Sequence, residues 1–201
     1  MKSFSKLLIV SFLFACIVTT NAKSQVYIIP EIGMNLSEFS FTSDDYDNTT
    51  NVGFQVGALA RLGKNAYLNA GLFYSQYSNQ LSFKDSLSNI SSDNINIEGI
   101  LLPLGFGFNI VNLDIFKIRL LAGVNFAFPL SVDENIFAIE KSDFNTSSIG
   151  FAAGFGLDIF RFVFDANFSF GMNDMLTIND TSASLNLYTL SIGYLIGGNT
   201  Y

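Results

Sequence analysis

Histidine is absent from the 201 residues, and so is tryptophan. Without histidine the chain cannot build a Ser-His-Asp triad, a Cys-His pair or the usual zinc and haem ligand sets. The single cysteine, Cys16, lies in an N-terminal segment read below as removed. The remainder then has no thiol for a disulfide, for catalysis or for a metal. Charge is scarce as well: Asp, Glu, Lys and Arg make up 13% of the chain, against roughly 25% in soluble domains. The net charge of −7 argues against nucleic acid as a partner. Past the N-terminal segment no apolar run reaches the roughly 17–25 residues that a spanning helix needs. Catalytic, cofactor-binding and metal-ligating sets are therefore not expected, and no cofactor is implied.

What is present is phenylalanine, 22 copies of it, in a chain that is 49% hydrophobic. Residues 1–24 have the three parts of a secretory signal. Lys2 and Lys6 supply positive charge, Leu7 to Val18 form a short apolar stretch, and Ala22-Lys23-Ser24 before Gln25 makes an A-x-A-like cleavage site. Residues 25–201 are expected to form one domain. They alternate with a period of two, over eight stretches at about 26–42, 51–63, 66–82, 95–110, 115–131, 146–159, 161–172 and 184–197. The alternation is clearest late in the chain. Ile149, Phe151, Ala153, Phe155 and Leu157 share one phase, against Gly150, Ala152, Gly154, Gly156 and Asp158 in the other. Phe162, Phe164, Ala166 and Phe168 stand against Val163, Asp165, Asn167 and Ser169.

Alternation alone does not say which face is inside, since a soluble lipocalin-like binding barrel in the periplasm also alternates. An eight-stranded barrel has an interior just wide enough for side chains to fill it. A face carrying Phe, Leu and Ile on every strand would overfill that space, whereas a face of Gly, Ala, Ser and Asn suits it. The small-residue face is also a poor water-facing surface, which would carry many more charges. The expected fold is an all-β, eight-stranded antiparallel up-and-down transmembrane β-barrel, with the bulky face toward lipid. Phe116, Phe126, Phe151, Phe155, Phe162, Phe164 and Phe168 form the expected lipid-facing band. Tyr67, Tyr74, Tyr77, Tyr188 and Tyr194 are candidates for an interface belt, with Tyr67 and Tyr77 equally suited by their phase to fill the lumen. Short links near residues 63–65, 111–114 and 160–161 alternate with longer polar ones at 43–50, 83–94, 132–145 and 173–183. Outer-membrane barrels alternate short periplasmic turns with long external loops in this way.

The stretch 95–110, with its apolar run into Pro103-Leu104, resembles a strand of the PorT-type outer-membrane β-barrel family of Bacteroidetes. Residues 148–172, with Gly150, Gly154 and Gly156 on one strand before a turn and an alternating strand, resemble that family's following hairpin. A signal ending just before Gln25 is similar to exports of that phylum. Leu101 stands where the family often has Glu or Gln. The resemblance implies a small barrel like OmpA or OmpX in the cell outer membrane of a Gram-negative bacterium. Its partners would be outer-membrane lipid, the barrel-assembly machinery during insertion and an unidentified envelope protein.

Few charges fall in the lumen phase, and they gather toward the short-turn end. Glu31, Arg61, Lys117, Arg119, Asp158 and Asp165 are expected to pair as an ionic plug, because an unpaired charge in a narrow lumen is costly. The long links are acidic, Asp133 and Asp174 among them, and read as solvated loop charge. Three roles follow: a non-enzymatic barrel with a filled lumen that is structural or interacts through its external loops, a narrow channel or secretion-assembly accessory, and the soluble binding barrel. Heat-modifiable migration on a gel together with fractionation separates the last from the others. A folded barrel that migrates faster before boiling and needs detergent for extraction is expected, and release without detergent would overturn the membrane reading.

Overall fold

The computed structural model describes residues 25–41, 46–84, 90–133, 144–178 and 181–198. The expected signal, residues 1–24, lies outside them. Eleven strands form one antiparallel sheet: β1 (Val26–Phe41), β2 (Tyr46–Thr50), β3 (Val52–Gly63), β4 (Ala66–Lys84), β5 (Ile90–Asn112), β6 (Phe116–Val132), β7 (Ser148–Ile159), β8 (Phe162–Gly171), β9 (Asp174–Ile178), β10 (Thr181–Tyr194) and β11 (Ile196–Gly197). Eight of them, β1, β3, β4, β5, β6, β7, β8 and β10, follow one another around a circle. β1 pairs back with β10 from Glu31↔Gly193 to Phe41↔Ala183, which closes the barrel. β2 extends the β3 side along β4, β9 pairs with the start of β10, and β11 returns to the start of β1.

The strands run further into the expected loops than alternation suggests. β4 and β5 stay paired out to Lys84↔Ile90, and β2 and β9 lie wholly within stretches read as links. An antiparallel ladder continues while backbone groups find partners, whether or not the side chains alternate. The long connections lie at one end of the barrel and the tight turns at the other, with both ends of the described chain. One tight turn places Phe160 at φ 53, a left-handed conformation uncommon for a bulky residue. Its amide donates to the Ile115 carbonyl at 2.8 Å, tying two neighbouring turns together.

The outer wall carries a continuous apolar band. On β1 it runs through Val26, Ile28, Ile32, Met34 and Leu36, and on β5 through Leu104, Phe106, Phe108 and Ile110, all exposed. Phe151, Phe155, Phe162 and Phe164 are exposed on the same wall, while Phe116, Phe126 and Phe168 are half-buried, Phe168 between the rings of Phe170 and Tyr188. Val26 to Leu36 covers about 33 Å of extended strand, which at a tilt of roughly 35–45° projects to about 25 Å, the height of a membrane-barrel band.

Toward the loop end the polarity reverses. Outward positions become Glu38, Ser40, Gln76, Ser78, Asn96, Glu98 and Asn186. They bond along the outer wall: Ser78 Oγ to Asn96 Oδ1 at 2.8 Å, Ser131 Oγ to Glu98 Oε2 at 3.0 Å, and Asn186 Nδ2 to Ser40 Oγ at 3.0 Å. Inward positions at this level are Phe39, Tyr77, Ile95, Ile97, Leu185 and Leu187, all buried. The expectation of a lumen lined mainly by Gly, Ala, Ser and Asn fails at this level, and lower down Ile29, Leu59 and Val163 are buried inside as well. Above the band the outside meets water, so the apolar residues turn in, as in a soluble barrel. Phe155→Arg, in the band, is expected to cost about 2–4 kcal/mol of stability in vesicles, and Gln76→Arg, past its edge, about 0–1. Equal losses in urea unfolding would mean the band is misplaced.

Candidate functional site

Closure of eight strands brings the inward charges of different strands within reach of each other. Arg119, on β6, is fully buried and stands at the centre. Its Nη2 donates to Asp165 Oδ1 on β8 at 2.7 Å and lies 2.9 Å from Asp158 Oδ1 on β7. Its Nη1 donates to the Tyr67 hydroxyl on β4 at 3.2 Å. Arg61, on β3, donates from Nη1 to Asp158 Oδ2 at 2.9 Å, and its guanidinium lies 4.7 Å from the centre of the Tyr67 ring, within cation–π range. Five barrel strands are thus tied across the lumen by two cations, two anions and one phenol. Charge-assisted bonds of this kind are shorter and stronger than neutral ones, which is what offsets the desolvation of buried ions.

Two glycines make the space. A Cβ on Gly156 would sit 2.4 Å from Arg119 Cζ and 2.4 Å from Asp165 Oδ1. A Cβ on Gly107, the cross-strand neighbour of Tyr67, would sit 2.2 Å from that ring. The guanidinium and the ring lie flat over strands that have no side chain at those points.

Of the six residues expected to form the plug, the structure brings four together: Arg61, Arg119, Asp158 and Asp165. Glu31, on β1, is buried on the same side of the barrel but meets no guanidinium. Its Oε2 accepts from Ser191 Oγ on β10 at 3.2 Å, while Oε1 has no protein donor. Lys117 is half-buried two residues nearer the turn than Arg119, opposite Asp158 in register, and forms no ion pair among the described residues. β3 lies across the circle of eight from β7, which lets Arg61 reach Asp158 over the lumen, whereas Lys117 borders a cavity at the turn end with Lys64 and Asp114.

Sequence reasoning missed the second element, an apolar layer above the ions. Phe39, Tyr77, Ile95, Ile97, Leu185 and Leu187 fill the loop end, with Phe144 and Met175 packed on them. Its signal was present in β10, where Leu185 and Leu187 alternate with Ser184 and Asn186 in the phase opposite to Leu190 and Ile192. Between the layers lies a polar zone that includes Asn35, Ser37, Gln55, Ser75 and Thr189.

A sequence profile for a family described as outer membrane protein beta-barrel domain matches residues 21–177. No curated protein matches the sequence. OprG from Pseudomonas aeruginosa is similar with a TM-score of 0.54 at 14% identity, over 86% of this chain and 96% of that chain. Neisserial surface protein A gives a TM-score of 0.51 at 11% identity, over 84% and 96%. Ail of Yersinia pestis, in a complex with the heparin analogue sucrose octasulfate, gives 0.43 at 18% identity, over 86% and 99%. At these identities the likeness is one of fold. The profile match and the exposed apolar band together overturn the soluble periplasmic barrel.

Arg119→Met is expected to lower stability by about 3–5 kcal/mol, because Asp165 is left buried without its cation. Adding Asp165→Asn should recover part of the loss. A single variant as stable as wild type in urea unfolding from vesicles would show that the cluster does not hold the lumen.

Proposed function

The chain belongs to the outer membrane protein beta-barrel domain family, and from that premise we propose that it is a sealed, non-enzymatic barrel acting through the surface it presents outside the cell. Its place is the outer membrane of a Gram-negative envelope. The observation that carries the reading is the double closure of the lumen. Below, Arg61, Arg119, Asp158 and Asp165 bridge the barrel, and above, Tyr77, Ile95, Ile97 and Leu187 fill it. A passage closed by both ions and hydrocarbon is a poor path for either ions or apolar solutes. What remains is the polar wall that rises past the lipid band, with the long connections above it.

In this reading the signal is cleaved before Gln25, residues 25–201 are the mature barrel, and the barrel-assembly machinery inserts it. Phe116, Phe126, Phe151, Phe155, Phe162, Phe164 and Phe168 meet lipid. The finer placement, a PorT-type barrel of Bacteroidetes with an envelope partner, rests on Pro103-Leu104 and on Gly150, Gly154 and Gly156.

Planar-bilayer recording tests the seal. Wild type is expected to show no steady current. Arg119→Ala alone should stay silent, since the apolar layer remains. Arg119→Ala combined with Ile97→Ala and Leu187→Ala should conduct, once a heat-modifiable gel shift confirms that the variant has folded. Steady current through wild type would overturn the proposal in favour of a narrow channel.

A further inference from the structure

The cavity at the turn end measures about 60 Å³ and is lined by Arg61, Lys64 and Lys117 together with Asp114 and Asp158. Strand pairing brings its inner members together. Lys117 stands opposite Asp158 on β6 and β7, and Arg61 reaches Asp158 Oδ2 across the lumen at 2.9 Å. Directly opposed side chains start about 4.5–5.5 Å apart at Cβ, so the Lys117 stem begins beside the carboxylate that holds Arg61.

Arg61 is only 4% exposed, and its donors are not all used. Nη1 bonds Asp158, while Nε and Nη2 are buried without a hydrogen-bond partner. These two nitrogens share one edge of the guanidinium, a fork that matches two oxygens of a phosphate or carboxylate. Buried donors of this kind ordinarily have a partner. Lys64 and Lys117 form no ion pair among the described residues. Asp158 has both oxygens beside guanidiniums, Oδ2 at Arg61 and Oδ1 2.9 Å from Arg119 Nη2, and Asp114 is exposed. Three cations thus border one small space, and neither carboxylate is paired with a lysine.

The cavity also touches the outside of the barrel. Ile115 and Phe160 line it, and both are exposed on the turns at the foot of the apolar band. A phosphate held here has cations on its lumen side and hydrocarbon on its outer side, the surroundings of a phospholipid head group.

We propose that this cavity binds one phosphate group, held by the free edge of Arg61 and by Lys117 and Lys64. A head group of the periplasmic leaflet and inorganic phosphate offer the same chemistry. The inference goes beyond the seal: a barrel can be closed with nothing bound beneath its ion cluster, so the bilayer recordings and the titration below fail independently.

The test is a phosphorus NMR titration of the full mature barrel folded in maltoside micelles, which contain no phosphorus. Inorganic phosphate is one probe, and dihexanoyl phosphatidylglycerol dispersed in the micelles is the other. One saturable site per barrel is expected. Saturation by inorganic phosphate assigns the free anion, and saturation by the lipid alone assigns the head group. Lys117→Gln, which breaks no ion pair, should raise the dissociation constant about tenfold, the worth of one hydrogen bond to a charged group. Arg161→Gln removes an exposed cation of the neighbouring turn that lies outside the cavity, and should leave binding unchanged. No saturable site with either probe would overturn the proposal. So would equal weakening by Lys117→Gln and Arg161→Gln, since a diffuse basic rim would then hold the phosphate.

Discussion

Lipid offers the backbone no hydrogen-bond partners, so a sheet that crosses it must have no free edge. Here that constraint is met by the pairing of β1 with β10, eleven residue pairs from Glu31↔Gly193 to Phe41↔Ala183. Everything else in the molecule is a consequence of closing the circle at eight strands. The lumen becomes narrow enough that side chains from opposite walls touch, and what points inward must either be small or find a partner across the gap.

The two halves of the lumen solve that problem differently because the outside differs. Within the lipid band, most bulky apolar residues are drawn outward, which leaves the inside to glycines, small polar residues and a few charges, with Ile29, Leu59 and Val163 packed among them. The charges are tolerable only as a connected set, and Gly156 and Gly107 let the largest members lie flat. Past the band the outside is water. The hydrophobic effect then acts inward again, and Ile95, Ile97 and Leu187 pack as a miniature core. One barrel is thus a membrane protein over its lower part and a soluble one over its upper rim.

Much of this was legible in the sequence. The eight barrel strands, their order and the outward phase of the phenylalanines on β7 and β8 follow from alternation, because within the band one face is uniformly bulky. The inward turn of Leu185 and Leu187 was not read, since a rule about which face meets lipid carries no mark of where the lipid stops. The identities of the buried charges could be listed, but not their partners. Whether Arg61 reaches Asp158, and whether Glu31 is left over, depends on the relative stagger of strands far apart in the chain. Alternation leaves Tyr67 open between belt and lumen, and its bond to Arg119 depends on a glycine across the strand pair, which pattern alone does not single out.

The ion cluster has a further consequence for how the strands find their alignment. Side chains on a strand alternate between faces, so a slip of β6 by one residue would swing Arg119 out into the bilayer and Leu120 into the lumen. An arginine on the lipid face near the middle of the membrane costs about 2–4 kcal/mol. Arg61 and Asp158 are 97 residues apart in the chain, and a slip of β3 or β7 would turn them outward too, at a cost that is smaller for Asp158 and falls toward the interface. The buried charges therefore act as a check on assembly: only the correct alignment of five strands hides all of them at once, and misaligned barrels expose their error to the lipid.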